Sequence, residues 1–288
     1  MRHALVFGGS GQIGAPLLER LHDAGWRVTA VSRTPRNDEP GLHWLQGDLS
    51  RVDDLPREVD AIFSCGPLDH FARWYAASRI EAERVLAFGS TSIDIKRGSS
   101  DREERDVAQR LREGEQRVFD TAAARNANAT LLRPTLVYGA GRDRTLTRIA
   151  GLAQRWGRFV LPRNARGLRQ PVHVGDLATA AFSACDATAT HGRAYALPGG
   201  ETLPYRDMVA RVLATLEPPP RLIEVPSPLF ALALLGARAL GRVGGFGDAA
   251  VARMRSDLVF DIEPARRDFG YAPRPFRPVA RMFESRET

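Results

Sequence analysis

The chain is 288 residues long, and its 43% hydrophobic and 26% charged composition can fill a large core, which excludes a disordered or fibrous polymer. Its two cysteines, Cys65 and Cys185, lie far apart without metal-ligand spacing, so neither a disulfide scaffold nor a metal site is expected, and a reducing, cytoplasmic setting fits. The formal net charge of +7 comes from basic residues scattered among acidic ones, with no aromatic-interleaved block, which argues against a nucleic-acid partner.

Apolar runs and helical periodicities alternate from the start. They predict strand 3–8, helix 12–24, strands 27–32, 42–46 and 60–65, helix 68–78, strand 84–91, helix 101–125 and strand 130–137. A helix over 144–155, a strand within 169–174, a helix from Asp176 and a strand over 193–198 follow. This alternation implies an α/β fold, a doubly wound Rossmann-type parallel sheet whose ligands sit at the carboxyl ends of the strands. From Pro198 onward, proline clusters separate short helices. The chain therefore reads as a dinucleotide-binding domain over 1–197 and a smaller substrate-side lobe over 198–288.

The first apolar run breaks at Gly8, too early for a secretory segment. Leu229 to Leu240 is interrupted by Arg238 and falls short of the roughly 18 residues of a membrane span. It reads as a packed helix, with rest on a membrane surface or a partner as its other use.

The segment from Gly8 through Gly11, Gln12, Ile13 and Gly14 links the first strand directly to the first helix. Gly8 permits a tight turn, Gly11 lets the backbone approach a pyrophosphate, and Gly14 lets the helix pack on the sheet. Amide N–H groups at the helix start then face the anion. About 20 residues on, where a carboxylate normally accepts from the NAD ribose, stand Ser32 and Arg33. Arg33 would pair with the 2′-phosphate of NADP, so NADP is expected, with NAD as the alternative if Asp38 or Glu39 folds back to the ribose.

The Gly-x-x-Gly-x-x-Gly spacing resembles that of extended and atypical short-chain dehydrogenases/reductases, which include nucleotide-sugar epimerases and dehydratases. Further segments extend the resemblance: Gly47-Asp48-Leu49, Cys65-Gly66-Pro67, the run from Phe88 to Asp94, Arg133-Pro134-Thr135 through Tyr138-Gly139, the segment from Gln170 to Ala178, and that from Ala265 to Pro273. The resemblance implies that Asp48 and Leu49 contact adenine, that Cys65, Gly66 and Pro67 let the backbone pass the nicotinamide ribose, and that Ser90, Arg133, Pro134 and Thr135 border the cofactor. It places Thr91 as the hydroxyl beside the nicotinamide, with Ser90 and Ser92 as its neighbours in register. It also implies a small-molecule substrate, a nucleotide sugar or a related carbonyl or carbinol compound, handled by a monomer or homodimer.

One feature departs from the family. Its Tyr-x-x-x-Lys pair falls on Val107 and Leu111 when Glu115 is aligned with the family's helix glutamate, and no tyrosine occurs between Tyr75 and Tyr138. Two readings stand. Lys96, the only lysine, acts as acid or base if desolvated; or nothing is catalysed, and the chain is a nucleotide-binding sensor or assembly subunit. Tyr138 is a reserve acid, His173 an interior histidine and Asp176 a helix N-cap. Arg142, Arg144, Arg158, Arg163, Arg166 and Arg169 suit either a diphosphate or an exposed face.

Overall fold

A computed structural model describes residues 1–143, 145–239 and 248–284. The chain forms two compact units built from interleaved segments, so the single cut expected at 197 is replaced. The first unit takes residues 1–135, 174–197 and 261–273; the second takes 136–173, 198–260 and 274–288.

The first unit is a parallel sheet between helices. Its elements are β1 His3–Phe7, α1 Gly14–Asp23, β2 Arg27–Ser32, β3 Leu42–Gln46, β4 Glu58–Ser64, α2 Leu68–Ala77, β5 Glu81–Phe88, α3 Ser92–Ile95, α4 Arg102–Ala124 and β6 Asn128–Pro134. The helix Val174–Asp186 and the strand Arg193–Leu197 return to it from later in the chain. The seven strands run in the order Arg193–Leu197, β6, β5, β4, β1, β2, β3, all parallel. Chain direction across the sheet reverses between β1 and β4, and a crevice opens at such a switch point.

β1 is buried throughout, as a central parallel strand covered on both faces should be. On one side Leu5, Phe7 and Ile62 meet Phe71 and Tyr75 of α2 and Val118 of α4. Helix α4 starts where Asp101 accepts the Glu103 N–H at 2.8 Å and ends before Asn126, which is left-handed at φ 54°. Its mid-helix Gly114 has a packing reason: a Cβ there would meet Leu68 at 3.3 Å and the Asp69 backbone at 3.5 Å, so the two helices approach closely.

The second unit has its own core, in which Tyr138, Leu146, Ile149, Leu161, Met208 and Phe276 are buried. Two of its strands escape the sequence patterns: Arg158–Pro162 pairs in parallel with Arg221–Val225. The strand expected within 169–174 is two short pieces, Leu168–Arg169 and Val172–His173. The following helix begins at Val174, so Asp176 lies inside its first turn and is not its N-cap.

Candidate functional site

Six loops of the first unit leave the carboxyl ends of β1 to β6. At the β1 end, Gly8 has φ +73°, and its carbonyl accepts the Gly11 N–H at 2.9 Å. Ala15 N–H then bonds Gly11 O at 3.0 Å, and α1 begins. A side chain would not fit this cradle. A Cβ on Gly8 would lie 3.2 Å from the Cys65 carbonyl carbon, and one on Gly14 would overlap the Gly8 carbonyl oxygen. Ile13, at the cap position of α1, offers no polar side chain; Ala15 N–H is taken by Gly11 O and Pro16 has no N–H, so the amides left for an external acceptor are those at the start of the helix and in the turn before it that these local bonds do not use. These residues fit a dinucleotide pyrophosphate.

The β4 end adjoins this turn through Cys65 N–H, which donates to Phe7 O at 2.9 Å. Burial pushes the Cys65 thiol up to about 12, so it is a protonated small hydrophobe and not a nucleophile. A Cβ on Gly66 would stand 3.4 Å from Leu49 Cδ1, so Leu49 and Gly66 are neighbours, and Pro67 in extended conformation starts α2. Two buried polar atoms lack a partner among the described residues: Gln12 Oε1 and Ser64 Oγ, the latter on the last residue of β4 beside β1. Orphaned polar atoms of this kind mark a place for a ligand. Only the place of Ser64 at a strand end adjoining the glycine turn could have singled it out in sequence.

At the β2 end Ser32 is buried, its carbonyl accepting Gly47 N–H at 2.9 Å, while Arg33 is exposed. Asp38 does not fold back toward a ribose: its oxygens take Trp44 N–H at 2.7 Å and His43 Nδ1 at 2.6 Å. These bonds hold its carboxyl below the usual range, Trp44 first. Asp48 Oδ1 closes a local turn by accepting the N–H groups of Ser50 (2.7 Å) and Arg51 (3.1 Å), which lower its pKa, with the Arg33 charge adding to the effect.

At the β5 end Thr91 is buried, and its N–H and hydroxyl both donate to Pro134 O, at 3.2 and 3.1 Å. Its hydroxyl therefore pins the β5 loop to β6, and the half-buried Ser90 and Ser92 flank it, Ser90 Oγ accepting Ser92 N–H at 3.1 Å. Lys96 Nζ lies 3.9 Å from Glu104 Oε1. Its ammonium faces a carboxylate counter-ion. Arg133 is held by Glu115: its Nε donates to Oε1 at 2.8 Å and its Nη2 to Oε2, with Asp94 3.8 Å from Nη1. Glu115 sits under the loop, 3.1 Å from where a Gly89 Cβ would stand. Val107 and Leu111, two turns and one turn before Glu115 on α4, are half-buried and apolar, and Leu111 packs on the core. Thr135 N–H donates to Leu197 O at 3.3 Å.

Residues 4–91 match the family model described as the NAD dependent epimerase/dehydratase family. The chain is 27% identical to a 2-alkyl-3-oxoalkanoate reductase of Stenotrophomonas maltophilia over 93% of this chain and 94% of that protein. Its fold is similar to that of UDP-glucuronic acid 4-epimerase from Bacillus cereus, solved with UDP-glucuronic acid and NAD (TM-score 0.70, 12% identity, covering 98% of this chain and 97% of that one). MoeE5, solved with UDP-glucuronic acid and NAD, has TM-score 0.69 at 18% identity, covering 98% of each chain. No helix among the described residues is long and apolar enough to cross a membrane.

The remaining candidates lie in the second unit. Tyr138 is buried, its ring edge-on to His173 and Phe276 at 5.3 and 4.9 Å, which is packing rather than acid catalysis. Arg169 is spent on backbone carbonyls, with Nη1 donating to Leu168 O at 2.7 Å and Ser256 O at 2.8 Å. Arg142, Arg158, Arg163 and Arg166 are exposed, and Arg144 lies outside the described residues.

Proposed function

We propose that this chain is an NADP-dependent oxidoreductase acting on a carbonyl or carbinol carbon of a small molecule, a nucleotide sugar or a related oxo compound. The observation that carries the reading is the Gly8–Gly14 cradle at the switch point between β1 and β4, where side chains are sterically refused and N–H groups are offered. The exposed Arg33, with Asp38 already engaged, supports a 2′-phosphate over a bare ribose. When bound, the nicotinamide supplies or accepts hydride.

The chain's own residues hold and orient the reactants. The N–H groups of the Gly8–Gly14 turn that the Gly11-to-Gly8 bond does not use hold the pyrophosphate, Ser90 and Ser92 hydrogen-bond the substrate oxygen, and Thr91 fixes their loop on β6. Ser90→Ala and Ser92→Ala are expected to lower kcat while nucleotide affinity stays within about twofold. Calorimetry with NADP and NAD, reduced and oxidised, tests the foundation; no heat with any of them ends this reading. Turnover of oxo acids and nucleotide sugars, followed by nicotinamide absorbance, tests the chemistry.

A second reading is favoured by one set of observations: Val107 and Leu111 replace the family's acid pair, and Lys96 is paired with Glu104. On that reading the chain binds nucleotide without chemistry. Tight binding with no absorbance change toward any carbonyl would select it.

A further inference from the structure

The charge of the chain is unevenly divided between its units. The second unit holds 19 arginines against nine carboxylates, a net of +10, whereas the first holds 22 basic against 25 acidic residues, a net of −3. Local structure concentrates the imbalance. Arg158 and Arg221 face each other at the first rung of their parallel strand pair, and like charges directly opposite destabilise a ladder unless an anion answers them. Arg163 and Arg166 are exposed on the turn after Pro162. That turn is tied to the next element: Arg163 N–H donates to Val225 O at 2.9 Å, and the Ser227 hydroxyl donates to Asn164 Oδ1 at 2.9 Å. None of these four arginines has a carboxylate partner among the described residues.

The helix Ser227–Ala239 begins at this point, and the exposed residues described on it are apolar. Leu229 is 58% and Leu232 68% exposed, with Pro228, Ala231 and Gly236 exposed beside them. Residues 228–240 contain one charge, Arg238, and no carboxylate. Leucines in water on a helix that leaves the arginine-bearing strand pair and turn meet both needs of an interfacial helix: apolar side chains for the acyl boundary and cations for phosphate headgroups. Nucleic acid would use the cations and leave the leucines wet, and an apolar protein partner would use the leucines and leave the cations unanswered.

We propose that the second unit docks peripherally on an anionic phospholipid surface, with Leu229 and Leu232 entering the acyl boundary and Arg158, Arg163, Arg166 and Arg221 meeting headgroup phosphates. This inference is independent of the nucleotide chemistry proposed for the first unit.

Co-sedimentation of the full chain with phosphatidylcholine vesicles, with and without about one-third phosphatidylglycerol, tests it. The partition constant is expected to rise about tenfold or more with the anionic lipid. A Leu229→Glu/Leu232→Glu variant should lose about tenfold in binding while keeping the wild-type melting temperature and its heat with NADP. Arg163→Gln/Arg166→Gln, which leaves the helix intact, should lose binding to the anionic vesicles alone. Equal binding to both vesicle types, binding to neither, or full retention by the glutamate variant overturns the proposal. So does binding of duplex DNA as strong as that of anionic vesicles and indifferent to the leucine substitutions, which would assign the charge to nucleic acid.

Discussion

Replacing Gly14 with alanine is expected to damage the fold, whereas replacing Gly11 with alanine is expected to damage binding alone. At Gly14 a Cβ would overlap the Gly8 carbonyl oxygen and lie 2.7 Å from Gly9 Cα and 2.8 Å from the Gly8 carbonyl carbon. These are backbone atoms that cannot rotate aside, so α1 would have to lift from the turn. Overpacking against backbone falls at the upper end of about 1–3 kcal/mol, which in a chain of this size lowers the melting temperature by roughly 5–10 °C. At Gly11 the Cβ would meet only Gly8 O at 3.0 Å, with the next atom 4.0 Å away, and a shift of a few tenths of an ångström relieves it. The folding cost there should stay below about 1 kcal/mol. On the proposed binding mode, however, the backbone at Gly11 is where the pyrophosphate approaches, so the Kd for NADP should rise about 10- to 100-fold, or about 1.4–2.8 kcal/mol. Melting curves and calorimetry on both variants read the two effects. A Gly11→Ala protein that binds pyridine nucleotide like the wild type would refute the cradle, and a Gly14→Ala protein that melts like the wild type would refute the close approach.

Arg33→Glu should invert coenzyme preference, lowering affinity for NADP about tenfold or more relative to NAD; an unchanged ratio would remove Arg33 from the 2′-phosphate site. Arg84 is buried, and its guanidinium bonds the carbonyls of Cys185 (2.8 Å), Ala184 and Asn128 (both 2.9 Å) and the hydroxyls of Thr130 (3.1 Å) and Thr190 (2.9 Å). Arg84→Met strands these acceptors and should cost about 3–5 kcal/mol in denaturant unfolding; a loss below about 1 kcal/mol would show that the cluster relaxes. Asp268 is held down at about 2 from its ordinary 3.8 by Arg267 first and then the Tyr195 hydroxyl. A depressed carboxylate stabilises the fold above its unfolded value and loses that contribution as pH falls through about 4 to 2, so Asp268→Asn should flatten the acid limb of the stability curve in that window. Cys65, with its thiol at about 12, should resist iodoacetamide near pH 8 in the folded chain and react on unfolding.

The fold of the first unit was legible in the sequence because a buried parallel strand has an unmistakable apolar run, and β1 to β6 lie within a few residues of their expected bounds. The second unit was less so. Arg158–Pro162 and Arg221–Val225 are short strands that begin on an exposed arginine and close onto each other across about 60 residues, and no local pattern encodes such a pairing. The interleaving of segments escaped for the same reason, since the return of 261–273 to the first unit is a tertiary event. At the site, glycine spacing read directly as steric need, because a Cβ has nowhere to go. Hydroxyls and charges read less well. Thr91 is a candidate by alignment, yet its proton goes to the Pro134 carbonyl; Arg133 borders the crevice, yet Glu115 holds it; and Ser64 carried no motif at all.

The apolar substitution on α4 goes deeper than the loss of two side chains. Leu111 packs with the cluster around Leu131 and Val118, so a lysine there would have to bring an ammonium against the core, at a cost that restoring one residue of the family's pair could not offset. One turn on, Glu115 is committed to Arg133. The face of α4 that carries Leu111 and Glu115 is thus packing plus one part-buried ion pair. On the proposed chemistry, a proton needed at a substrate oxygen would come through the β5 loop, where the half-buried Ser90 and Ser92 can pass it from water but cannot store it near neutral pH. Such a relay depends on solvent reaching the loop. Turnover should therefore be insensitive to Lys96→Ala and abolished in Ser90→Ala/Ser92→Ala, a pattern that neither a lysine base nor a purely binding protein would produce.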